Sequence, residues 1–152
     1  MKKASAHAGD LRKGRISEAN RIYHITTTTH KRTPWFQGMV CARMLIQAMQ
    51  YESSYAQTLT FMVMPDHLHW LVQLSDQGRL DVIVRNIKSV SASRINQYLK
   101  RKGKIWQSGY YDHAVRKDED VQSIARYIVA NPLRAGLVDN IGDYSFWDAV
   151  WL

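Results

Sequence analysis

The side-chain period switches repeatedly along the chain, and the switches predict an α+β fold with elements in the order strand, helix, strand, strand, helix, strand, helix. Three observations carry this. A β-branched and aromatic run, Ile22-Tyr23-His24-Ile25-Thr26-Thr27-Thr28-Thr29, suits a pleated strand. Two further apolar runs are parted only by Pro65-Asp66, as an antiparallel hairpin requires. Two long stripes at helical spacing flank this hairpin, one on each side. The βαββαβ order is that of a ferredoxin-like sandwich, here with an added C-terminal helix.

Residues 1 to 20 mix Gly, Ser, Ala and basic residues without apolar periodicity and read as a flexible basic arm, so a single domain is expected over 21 to 152. After the first strand, Pro34 and Gly38 punctuate. Cys41, Leu45, Ala48, Glu52 and Tyr55 then fall near helical spacing between Met39 and Tyr55. Thr58 to Met64 and His67 to Leu74 form the hairpin strands. The stripe Leu80, Val84, Ile87, Ser91, Ile95, Tyr98 predicts a second helix running to Lys102 and ended by Gly103. Ile105-Trp106 and Tyr110 to Arg116 are extended around a Ser108-Gly109 turn. Asp118, Glu119 and Asp120 favour the N-terminus of a third helix, whose buried face is Val121, Ile124, Ala125 and Ile128. Pro132 interrupts that helix, and Gly136 suits a left-handed cap to the short turn after it.

Composition excludes several classes of protein. A chain of 152 residues buries about 69 % of its unfolded surface, enough for a core without covalent staples. Cys41 is the single cysteine, which rules out an internal disulfide and suits a reducing, cytoplasmic setting. No apolar run approaches the length of a membrane span, and no hydrophobic segment stands behind the basic start to make a secretory signal. The formal charge of +8 is unevenly placed. Residues 1 to 32 hold eight basic and two acidic side chains, and residues 79 to 104 hold eight against one. The rest of the chain is net acidic. Confining positive potential to two segments is an arrangement expected of a surface that meets a polyanion, although a solubilising surface has the same composition.

His67-Leu68-His69 is the sharpest local feature. Alternation along a strand puts His67, His69, Leu71 and Gln73 on one face and Leu68, Trp70, Val72 and Leu74 on the other. Two imidazoles about 7 Å apart at the backbone and aimed alike can converge on one cation, or can be two ordinary half-buried histidines. The lone cysteine argues against a closed zinc site with four N/S ligands. Two imidazoles completed by an amide oxygen and water would leave positions open for phosphate oxygens, as Mg²⁺ or Mn²⁺ phosphoryl-transfer sites need. Tyr127 and Asn131 supply a matching half. They stand one turn apart, about 6 Å along a helix axis, and project from one face. A phenol can attack phosphorus and hold it covalently, with the Asn carbonyl beside it at the same cation. The plainer readings are an amphipathic helix residue for Tyr127 and an N-cap before Pro132 for Asn131.

Met64-Pro65-Asp66-His67-Leu68-His69-Trp70-Leu71 resembles the histidine–hydrophobic–histidine (HUH) motif of the single-tyrosine transposases of small bacterial insertion sequences. Trp106-Gln107-Ser108-Gly109-Tyr110-Tyr111-Asp112-His113, followed by Tyr127-Ile128-Val129-Ala130-Asn131-Pro132-Leu133-Arg134-Ala135-Gly136-Leu137-Val138, is similar to their REP-associated branch. The resemblance runs from about Tyr23 to Trp147. It implies a ferredoxin-like nuclease that cuts and rejoins single-stranded DNA near hairpins through a 5′-phosphotyrosine. His67 and His69 would be metal ligands, Tyr127 the nucleophile and Asn131 a third ligand. The related insertion-sequence transposases more often carry Gln at that last position. The two basic segments would then hold the DNA, with Arg85, Lys88, Arg94, Lys102, Arg126 and Arg134 as phosphate contacts. Two other classes explain part of the pattern: a non-catalytic nucleic-acid module on the same sheet, and a metal-dependent phosphodiesterase that activates water. Assembly as a monomer or a homodimer is left open by the sequence. Tyr110 and Tyr111 read as core or base-stacking residues, His113 as a strand-surface histidine, and His24 as either core or DNA-facing. Trp35, Trp106, Phe146, Trp147 and Trp151 read as packing aromatics.

Overall fold

The first strand, β1 (Ile22–Thr28), alternates fully buried Tyr23, Ile25 and Thr27 with partly exposed His24 and Thr26, the period of a strand covered differently on its two faces. In the computed structural model, which describes residues 20 to 150, this strand lies near one side of a five-stranded antiparallel sheet. Helix α1 (Met39–Gln50) comes next, then the hairpin strands β2 (Ala56–Met64) and β3 (His67–Leu74), helix α2 (Leu80–Leu99) and strand β4 (Tyr111–Ala114). Helix α3 (Val121–Val129), the single turn α4 (Asn131–Arg134) and a short strand β5 (Trp147–Ala149) complete the described chain. The sheet order is β4-β1-β3-β2-β5. Its first four members have the ferredoxin-like arrangement expected from the element order.

The sheet separates two apolar clusters. Leu68, Trp70, Val72 and Leu74 of β3 point into the larger one, with Tyr23 and Ile25 of β1 beneath α1 and α2. Trp70 is fully buried, and its Nε1 donates to Thr58 Oγ1 at 2.9 Å. Each fully buried side chain of this size contributes about 1.5–3 kcal/mol relative to exposure. The opposite face carries Leu59, Met62, Met64 and Leu71, covered by Ala125 and Ile128 of α3. Phe36, Trp106 and Tyr110 are buried in the larger cluster, with Trp35 and Phe146 packed at its edge, while Trp147 packs against the smaller one. Packing is the role expected of Trp35, Trp106, Phe146 and Trp147, and Tyr110 takes the core alternative of its two readings. The basic arm (but for Asn20) and Trp151 lie outside the described residues.

Several element ends differ from expectation. α1 stops at Gln50, and Glu52 and Tyr55 belong to the turn after it. α2 stops at Leu99, ahead of Gly103, because Lys100 takes the left-handed conformation (φ 53°) and returns its N–H to the Asn96 and Gln97 carbonyls. Gly103 is also left-handed (φ 112°), but in the loop beyond. The C-terminal addition is more than a helix. β5 pairs with β2, matching Met62 to Trp147. Among the described residues no helix is long and apolar enough to cross a membrane.

Candidate active site

β3 presents His67 and His69 on the face away from α1 and α2, the face that α3 partly covers. Their register partners on β2 are Met64 and Met62, both buried against α3. The two rings meet edge to face with centroids 4.9 Å apart and an interplanar angle of 81°.

Both imidazoles are oriented by partners at Nδ1. His67 Nδ1 lies 2.8 Å from Asp66 Oδ1, and the other carboxylate oxygen accepts from Arg32 Nε at 3.0 Å. Burial alone would raise the Asp66 pKa. The hydrogen bond from His67 and the charge of Arg32 outweigh it and hold the carboxyl below its ordinary value. His69 Nδ1 lies 3.1 Å from His24 Nε2 and 3.2 Å from Thr26 Oγ1. Burial pushes His69 down to about 3, helped by the positive fields of His67, His24 and Arg134, so its ring is neutral at physiological pH. Burial and then His113 lower His24 as well. A neutral ring whose Nδ1–H is held by an acceptor offers its Nε2 lone pair to a cation, which is how protein partners prepare histidine ligands.

Asn131 is also oriented, by a local backbone need. Pro132 has no N–H to give the Ile128 carbonyl one turn back, and Asn131 Nδ2 donates to that oxygen at 2.9 Å instead. Its amide oxygen takes no part in that bond. Asn131 is the first residue of α4 rather than its N-cap, a position held by Ala130, so the capping role is not used. Among the described residues no group of three His, Cys, Asp or Glu side chains is placed to hold a metal. An ion on the two histidines would need an oxygen from another residue type, and the Asn131 amide is of the right chemistry for a hard divalent cation.

Tyr127 stands on the solvent side of α3 and is 59 % exposed, whereas its neighbours Ala125 and Ile128 are buried. The guanidinium carbon of Arg134 sits 3.8 Å from the centroid of its ring.

The other expected DNA contacts divide by layer. Arg85, Lys88 and Arg94 ride on α2, on the side of the sheet opposite the histidines, with Lys102 in the loop beyond it. Arg85 is exposed and lines an open cleft with Trp106 and Tyr110. Lys102 is exposed. Lys88 is turned inward: its Nζ donates to the Gln107 and Gly109 carbonyls at 2.8 and 2.6 Å. Arg94 lies over the Tyr51 ring, 5.0 Å from its centroid. Arg126 donates to Ser123 Oγ at 3.0 Å and lies 3.7 Å from Asp120. His113 is drawn to Glu119, with Nε2 2.9 Å from Oε1. Tyr110 is core, and Tyr111 is half exposed beside Thr26 in the ladder.

The supporting roles of Asp66, His24 and Thr26 carry no signal in the sequence. Asp66 reads as half of a turn. Thr26 and His24 become meaningful only through the pairing of β1 with β3, which sets Thr26 opposite His69.

An open antiparallel sheet thus carries the paired-histidine strand, and the tyrosine-bearing helix is laid on the same face. The chain belongs to the IS200-like transposase family, whose family model matches residues 17–131. A Haemophilus influenzae protein carrying the name REP-associated tyrosine transposase is 25 % identical over 115 residues, which are 64 % of this chain and 65 % of that protein. The chain thus spans about two thirds of the length of this curated relative. The solved structure of a REP-associated tyrosine transposase bound to a REP hairpin superposes with a TM-score of 0.71 at 22 % identity, over 88 % of this chain and 79 % of that one. A crystal structure described as a transposase of Deinococcus radiodurans R1 gives 0.54 at 22 % identity, over 79 % and 96 %. Both share the fold.

Proposed function

We propose that the chain cuts and rejoins single-stranded DNA beside a hairpin, with Tyr127 as nucleophile and a divalent cation, Mg²⁺ or Mn²⁺, held by His67, His69 and Asn131. The observation that carries this reading is that all three ligand candidates are pre-oriented by separate partners, with the two histidines on the sheet face against which α3 packs. Family membership supports the class of reaction, and the hairpin bound to the structural relative supports the class of DNA.

The Tyr127 hydroxyl attacks the scissile phosphorus, the phenolic oxygen–phosphorus bond forms, and the bond to the 3′ oxygen breaks. The proton lost by the phenol is balanced by the one gained at the 3′ hydroxyl. The phosphodiester energy is kept in the 5′-phosphotyrosine, so the same or another 3′ hydroxyl reverses the step without a nucleotide triphosphate. A bound cation supplies polarisation of the phosphate and neutralises charge that develops on its oxygens. Asp66 holds His67, and His24 with Thr26 holds His69, so neither ring must reorient when a ligand is bound. Arg126 and Arg134 lie on the catalytic face, whereas Arg85, Arg94 and Lys102 would meet phosphates of a segment passing over the other layer.

The test uses labelled single-stranded DNA flanking a hairpin, with Mg²⁺ or Mn²⁺, on denaturing gels. The parent chain is expected to give a protein–DNA adduct that Tyr127→Phe and chelation by EDTA both remove. Cleavage with no adduct would identify water as the nucleophile. An adduct persisting in Tyr127→Phe would remove Tyr127 from the mechanism. His67→Ala with His69→Ala is expected to stop cleavage and leave salt-sensitive binding.

A further inference from the structure

Arg134 differs from the other arginines around the catalytic face in what it touches. Arg32 pairs with Asp66, Arg116 with Asp118 and Glu119, and Arg126 with Asp120. Among the described residues Arg134 has no carboxylate within ion-pair distance, and the one ring it covers is that of Tyr127. Backbone geometry brings this about. Seven residues of straight helix would set the two Cα atoms about 10 Å apart along the axis. The chain instead breaks at Ala130 (ψ −2°), a separate turn starts at Asn131, and the guanidinium lies 3.8 Å from the ring centroid. A guanidinium on an aromatic face spends its face on the ring and leaves five N–H donors in its own plane, in a fork that matches two phosphate oxygens.

We propose that Arg134 seats the scissile phosphate against the nucleophile: it fixes the Tyr127 ring by stacking, and its in-plane N–H donors take the non-bridging oxygens of the phosphate that Tyr127 attacks. The inference rests on the tyrosine mechanism proposed above and assigns a residue that this mechanism does not require. Arg134 gives up no proton. It aligns the phenolic oxygen and the phosphorus before the bond between them forms, and it offsets negative charge on the phosphate as the 3′ oxygen departs. Its role exceeds a generic backbone contact because one cation touches both reacting partners.

The experiment is single-turnover adduct formation at saturating hairpin-flanked DNA with Mg²⁺ or Mn²⁺, for the parent chain, Arg134→Ala and Arg134→Lys. DNA affinity is measured separately, by anisotropy in the Tyr127→Phe background. Arg134→Ala is expected to slow adduct formation at saturation about 100-fold, the scale of removing one oriented donor to a reacting oxyanion. Affinity should fall by less than about tenfold, since one phosphate contact among many is lost. Arg134→Lys keeps the charge but not the planar fork, and should regain affinity more than rate. Added methylguanidinium should restore part of the Arg134→Ala rate and none of the Arg134→Lys rate. A parent-like rate in Arg134→Ala, or a loss that saturating DNA removes, would overturn the proposal. So would a rate loss with no rescue and a lowered melting temperature, which would make Arg134 a residue of the fold. If the parent gives no adduct, or Tyr127→Phe gives one, the failure belongs to the tyrosine mechanism itself.

Discussion

Asp66 and His67 are neighbours in sequence at the mouth of the β2–β3 hairpin, and their side chains meet, Oδ1 to Nδ1, at 2.8 Å. The same carboxylate holds Arg32 from the loop after β1. One turn residue therefore aims an imidazole and ties down the segment beside it. Asp66→Asn keeps the shape and weakens the acceptor. It should lower Mn²⁺ affinity by about 10- to 100-fold, the usual cost of losing a carboxylate behind a histidine ligand. Titration calorimetry with Mn²⁺ alone measures this without reference to catalysis. An unchanged affinity would mean that His67 is not a ligand or does not need Asp66.

Lys88 separates charge from function. Its ammonium bonds two loop carbonyls, so Lys88→Met, which keeps the stem and drops the donor, should cost about 1–2 kcal/mol in urea unfolding. The salt dependence of DNA binding should stay as in the parent chain. Arg85→Ala and Lys102→Ala are expected to do the reverse, each reducing the slope of log affinity against log salt by about 1 with no loss of stability. A reduced slope for Lys88→Met would return it to the DNA contacts.

The two faces of the sheet should answer differently to equal damage. Ile128 on α3 and Ile83 on α2 are both buried, one in each cluster. Truncating either to Ala should cost about 3 kcal/mol. Under conditions where both variants remain folded, only Ile128→Ala should slow adduct formation, because only α3 carries Tyr127. Equal slowing by Ile83→Ala would show that the helix layer also positions the nucleophile.

Asp120 caps α3, accepting from the Gln122 N–H at 3.0 Å and from Ser123 Oγ at 2.7 Å. The Ser123 hydroxyl chiefly, with the backbone donors and Arg126, holds its pKa below the ordinary 3.8. A carboxylate whose folded value is depressed contributes stability above its unfolded pKa and loses it as pH falls through the folded one. Asp120→Ala should thus lower the melting temperature by about 3 °C near neutral pH. The gap from the parent should close as the pH falls below 3.8. Asp120→Asn, a neutral cap, should show less of this pH dependence. A gap independent of pH would remove the carboxylate charge from the account.

Much of this architecture can be read from residue patterns because those patterns are local. The hairpin strand His67–Leu74 has the expected ends, since Pro65-Asp66 interrupts one apolar alternation and starts another. The break before α4 comes from Pro132, and the left-handed Gly136 (φ 73°) from the lack of a Cβ. Features that depend on distant parts of the chain were not legible. β5 is three residues long, too short for a period, and exists because β2 offers it an edge. Lys100 ends α2 where a glycine would be looked for, an exception in which the partners, the Asn96 and Gln97 carbonyls, are local but the residue type gives no signal. The support given to His69 by His24 depends on strand pairing across 45 residues. The likeness of motifs named the chemistry, but only the register between strands revealed what holds it in place.

Strand β3 has one further consequence. The imidazoles share one face with Leu71 and Gln73, and the other face is Leu68, Trp70, Val72 and Leu74. Sliding the strand by one position would drive both histidines into hydrocarbon and expose a tryptophan to water, a mistake whose cost scales with the whole cluster. The facing of the histidine pair is therefore underwritten by buried apolar residues on the other side of the strand.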